Sequence, residues 1–148
     1  MPEAYFKVTN MLALAAWIPL VLFPGRKLVS GLVCAVVVPG ALAASYAAVI
    51  AWKFATNGPP SGDVMTLAGL REVFRDDWVF AAAWTHYLVF DMVVGAWIAR
   101  DAVALRIPWP LRTLALLLTF FAGPVGLLIH LLGRAALRRA VAAGEPGR

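Results

Sequence analysis

His86 and Asp91 stand five residues apart in HYLVFDMVVGAWIARD, residues 86–101, where nearly every neighbour is apolar. A carboxyl and an imidazole held out of water can serve as general acid and general base. At 100° per residue the pair is separated by about 140° around a helix, so it is no i,i+4 ligand pair but can flank one cavity. Asp91 lies nine residues from Arg100 and thirteen from Trp78, near the middle of its apolar run. An aspartate at such a depth in a bilayer costs roughly 2.5–3.5 kcal/mol on insertion scales. Intramembrane carboxylates therefore tend to face a bundle interior and mark a site or pathway. The structural alternative is a carboxyl that bonds Thr119 or Tyr87 and glues helices together.

A second cluster follows in Phe120-Phe-Ala-Gly123-Pro124-Val-Gly126, with His130 beyond it. Pro124 lacks an amide hydrogen and predicts a kink. Gly123 and Gly126 would let a helix or a flat ligand come close. Antiparallel packing at about 1.5 Å per residue sets Asp91 level with Thr119 and Phe120, and His86 level with Val125 and Gly126. His130 then falls some 6–7 Å past His86, a gap that weighs against the two histidines sharing a metal. No HExxH, no CxxC and no carboxylate pair at ligand spacing occurs. Neither a metal nor a cofactor is expected. These residues predict a pocket for a largely apolar molecule with one polar group. His86 and Asp91 are its candidate catalytic residues. Trp84, Tyr87, Thr119, Phe120, Gly123, Pro124, Gly126 and His130 are its candidate wall. Arg100 and Asp101 read as a salt-bridge set at a membrane interface.

The elements that must position these groups follow from composition. The chain has 148 residues, 62% hydrophobic and 14% charged. A soluble domain has about 45–50% apolar and about 25% charged residues. So short a soluble fold could not bury the surplus, whereas lipid can solvate it. The net charge of +5 is modest and sits beside apolar runs, as headgroup anchors do. No basic stripe with interleaved aromatics lies outside those runs, so nucleic acid is not expected as a partner. The single cysteine, Cys34, can form no internal disulfide and reads as packing. MPEAYFK lacks a basic n-region and a cleavage site, so the first helix should be retained, and no Ser- and Arg-rich transit peptide is seen. A bacterial inner membrane is the expected location.

The expected fold is an all-α integral membrane domain spanning residues 1–148. Four transmembrane helices, over about 8–23, 28–50, 78–99 and 111–132, would form a bundle. Gly31, Ala35, Gly40, Ala44 and Ala48 form a ridge suited to close helix approach. Between helices 2 and 3, residues 63–75 read as a short amphipathic helix capped by Asp63. It would lie in the headgroup plane, as a solvated helix or as a lid over the site. Four crossings put both termini on one side. Eight basic residues against five then favour cytoplasmic termini, with the Arg26-Lys27 loop dissenting.

The pattern Trp84-x-His86-x4-Asp91, with Asp101 ten residues on and Gly123-Pro124-Val-Gly126-x3-His130 after it, resembles the abscisic-acid-deficiency-four-like membrane family. The resemblance is clearest over residues 78–134. Plant members are plastid proteins linked to conversion of violaxanthin to neoxanthin. That conversion opens an end-ring epoxide and removes a proton to make an allene. The resemblance thus implies an acid at the epoxide oxygen and a base at carbon, and Asp91 and His86 could fill those roles. On this reading the chain binds a carotenoid or related isoprenoid and isomerises it. Two other readings stay open: a non-catalytic subunit assisting a partner enzyme, and a small transporter or proton-relay protein. A homodimer also stays open. The lipid bilayer itself is the one partner common to all of them.

Overall fold

The computed structural model describes residues 1–59 and 62–138. Four helical stretches are long and apolar enough to cross a membrane: Pro2–Leu22, Leu28–Asn57, Asp77–Ala104 and Trp109–Leu137. Their outward faces carry exposed Met11, Ile18, Leu32, Val36, Phe90 and Leu128, surface that lipid solvates and water does not.

Helix α1, Pro2–Leu22, starts earlier than the apolar run alone predicts, because Pro2 is pre-set for the first turn. Its Ala13, Ala16, Trp17 and Leu20 form the buried stripe. Trp17 packs against Gly95, where any added Cβ would collide with the indole. Helix α2 is wound as a π-helix over Lys27–Val37 and as an α-helix over Val38–Asn57. The wider register ends where the amide of Val38 donates to Val33. Pro39 follows at once, and its ring would clash with the carbonyl four residues back in a continuous α-helix.

The short helix α3, Leu67–Val73, is capped by Thr66, which accepts from the Gly69 amide at 3.1 Å. Asp63, expected as the cap, instead accepts from the Met65 amide at 2.9 Å, within the preceding turn. Helix α4, Asp77–Ala104, opens on Asp76, which accepts from Trp78 and Val79 amides at 2.9 and 3.1 Å. Lys53 at the end of α2 also donates to Asp76, tying the two helices at that end. Helix α4 is the centre of the bundle and packs on α1, α2 and α5.

Helix α5, Trp109–Arg138, departs most from expectation. It is broken at Ala122, whose backbone is extended at φ −153°, ψ 71°. The arms on either side lie against each other. A Cβ at Gly133 would stand 2.9 Å from Leu111, and one at Gly126 would collide with Thr119 and the Ala115 carbonyl. In a straight helix residues 111 and 133 would be about 33 Å apart. The segment is therefore a helical hairpin, with an outbound arm over 109–121 and a return arm over 123–138. Pro124 does not kink a continuous helix. It sits in the first turn of the return arm, where a missing amide hydrogen leaves no bond unmade. Gly126 and Gly133 let the arms touch.

The hairpin tip reaches the middle of α4, where Gly123 meets Asp91. The return arm then runs alongside α4 toward Ala104, bringing His130 and Arg134 to Asp101. At the opposite end of α4, Tyr5 of α1 stacks near Trp78 at 5.9 Å. The end of α5 and the start of α1 consequently lie at opposite ends of the bundle. The fourth apolar stretch, expected as one continuous helix, is thus broken into two arms among the described residues.

Candidate functional site

Asp91 projects from the midpoint of α4 onto the tip of the hairpin. Its carboxyl lies against Gly123, so that a methyl group there would overlap Oδ1. The first amides of a helix lack intrahelical acceptors and carry partial positive charge. The return arm thus points its positive end at the one place in α4 where an acidic side chain stands at mid-depth.

Other polar groups at this depth are occupied. Thr85 donates to the Ala81 carbonyl at 2.9 Å and Thr119 to Ala115 at 2.8 Å. Thr119 is thus bonded to its own arm, not to Asp91 as the gluing alternative required. Trp84 donates from Nε1 to Asn10 at 3.1 Å. The Asp91 carboxyl, by contrast, makes no hydrogen bond or ion pair among the described residues.

His86 looks elsewhere. Its ring lies 4.6 Å from Phe90 and 5.9 Å from Tyr46. It lines a groove of about 260 Å³ between α2 and α4, with Ile50, Phe74, Val79, Ala83 and Tyr87. A neighbouring cavity of about 250 Å³ shares Ile50 and Val79 and leads up to Lys53 and Asp76. Each space is below the roughly 300 Å³ at which ligand pockets begin. It suits a ring or end group, not a whole long molecule. His86 and Asp91 therefore face different surroundings, as the 140° offset requires.

A straight fourth helix would put His130 some 6–7 Å past the level of His86. The hairpin takes it instead to the far end of α4. There its Nε2 lies 2.8 Å from Asp101 Oδ2, with both side chains almost wholly buried. Arg134 Nη1 lies 3.3 Å from Asp101 Oδ1, and the guanidinium stacks 5.6 Å from the Trp97 ring centre. Trp97 also meets His130 edge-on at 5.1 Å. Asp101 is buried inside the bundle, 4% exposed, and binds the return arm to α4. Arg100 alone behaves as an end-of-helix cation, donating from Nη1 to the Ser30 carbonyl. The quartet carried a sequence signal. Trp97 and Asp101, and His130 and Arg134, are each i,i+4 pairs, so each presents one face.

Phe120 stacks edge-on with Trp17 at 5.5 Å. It lines a wholly apolar groove of about 280 Å³ with Leu14, Val21 and Leu117. Pro124 is exposed and Gly126 is filled by Thr119. Of the expected wall, then, Gly123 lies against Asp91. Tyr87 accompanies His86, and Trp84 is held by α1.

A family model described as ABA DEFICIENT 4-like matches residues 4–130, a stretch that runs from α1 through both arms of the hairpin to His130. No curated protein and no solved structure matches the chain significantly.

Proposed function

The chain belongs to the ABA DEFICIENT 4-like family, associated with neoxanthin synthesis, and we propose that it holds the oxygenated end of a carotenoid or related isoprenoid within the membrane. The observation that carries this reading is the unpartnered Asp91 carboxyl at the hairpin tip. A carboxyl at bilayer depth is costly, and a bound hydroxyl or epoxide oxygen would supply the missing hydrogen bond. The groove beside His86 is of a size for an end ring, and the polyene would lie along the apolar outer faces.

In its finer form the reading includes isomerisation. Asp91 gives its proton to the epoxide oxygen as the carbon–oxygen bond breaks. The electron pair of a neighbouring carbon–hydrogen bond completes the allene, and that proton passes to a base. No oxidant or reductant is required. His130 is committed to Asp101, so His86 is the histidine left for the second role.

Asp91→Asn keeps the shape and removes the acid. Expressed in a carotenoid-producing host, it should leave substrate unconverted where the parent chain converts it. An unchanged pigment profile would remove the catalytic role.

A further inference from the structure

We propose that the chain crosses the membrane three times, with its amino terminus on the non-cytoplasmic face and its arginine-rich end seated on the anionic headgroups of the cytoplasmic leaflet. The hairpin carries the first part. Residues 109–138 leave by the face through which they enter, so α1, α2 and α4 are the only crossings among the described residues.

The distribution of charge carries the second. At the Ala104 end lie Arg26 and Lys27 in the first loop, then Arg100, Arg106 and Arg112 around the second. The return arm adds Arg134 and Arg138. The one carboxylate at that end among the described residues is Asp101, buried inside the bundle. The other end has Lys7, Lys53, Arg71 and Arg75, and three of these are matched locally. Lys7 pairs with Glu3 at 3.1 Å, Lys53 with Asp76, and Arg75 with Glu72 at 2.6 Å. Among the described residues seven basic residues thus stand at the first end, Arg134 among them buried on Asp101, and four at the second. Basic loops are retained on the cytoplasmic side and attracted to anionic lipid. Phe23 under Arg26 at 4.8 Å, and exposed Trp109, supply the aromatic residues that such a boundary favours. The Arg26-Lys27 loop, which conflicts with four crossings and cytoplasmic termini, agrees with three. The groove beside His86 would then open toward the outer leaflet.

The test places one cysteine at a time in the full chain: Ala4→Cys, Ala104→Cys or Ala136→Cys, all exposed positions. Cys34 is buried, and the unaltered chain serves as the blank. Intact bacterial cells are treated with a membrane-impermeant maleimide, and labelling is normalised to the same protein in detergent. The expected result is labelling at Ala4→Cys at least tenfold above that at Ala104→Cys and Ala136→Cys. Equal labelling at Ala4→Cys and Ala136→Cys would overturn the three-crossing topology. Labelling at Ala136→Cys with none at Ala4→Cys would overturn the orientation. Neutralising Arg26, Lys27, Arg106 and Arg112 to Gln should turn a measurable fraction of molecules over. An unchanged pattern would show that the basic end does not set the orientation.

Discussion

The His130 imidazole lies 2.8 Å from the Asp101 carboxylate, although 28 residues separate them and a straight α5 would carry His130 about 32 Å away from Trp109. The contact exists because the chain reverses at Ala122. With Arg134 on the other carboxylate oxygen, it fastens the return arm to α4 and so fixes the hairpin tip at Asp91.

Removing Asp101 should therefore loosen the hairpin. In Asp101→Ala, His130 and Arg134 remain buried without the carboxylate. Breaking one partner of a buried pair costs about 3–5 kcal/mol. Reversible unfolding in mixed detergent micelles should show a loss of that order. Glu3→Gln, in an exposed pair, should be indistinguishable from the parent.

Gly126 is the tightest point between the arms. Gly126→Ala places a methyl group against Thr119 and the Ala115 carbonyl, and backbone cannot swing aside as a side chain can. Overpacking of this kind costs typically 1–3 kcal/mol or more. Gly40 has open space around its Cα. Gly40→Ala should be neutral or mildly stabilising in the same unfolding assay, since alanine favours helix by about 1 kcal/mol. Equal effects of the two changes would contradict the hairpin.

Much of this was legible beforehand. The apolar runs located the long helices, and counting from Arg100 and Trp78 put Asp91 at mid-depth, where α4 holds it. The reversal was not legible. Residues 111–132 are apolar without interruption, and the turn uses one extended residue, Ala122, with no loop composition to mark it. Gly-Pro signals both a kink and a helix start, and only the packing of Gly126 and Gly133 decides between them. A straight helix beyond Phe121 therefore gives the wrong depths, that of His130 most of all.

The Lys53–Asp76 tie predicts acid sensitivity at the other end of α4. The hydrogen bond from Lys53 holds the Asp76 carboxyl below the ordinary carboxylate range. A lowered value in the folded chain means stabilisation that is present above about pH 4 and fades as pH falls through the folded value. Asp76→Ala should lose about 1 kcal/mol at neutral pH through the lost helix cap. Its stability should also vary less between pH 6 and pH 2 than the parent's. A parallel pH profile for the two proteins would refute the linkage.

The central claim, that Asp91 receives the oxygenated end of an isoprenoid, is tested most directly by the absorption spectrum of the full chain purified from a host rich in oxygenated carotenoids. The parent protein should carry a polyene band at near-stoichiometric intensity, and Asp91→Leu, folded by the same unfolding assay, should lose that band at least tenfold. A colourless parent protein, or equal colour in both, would contradict the account.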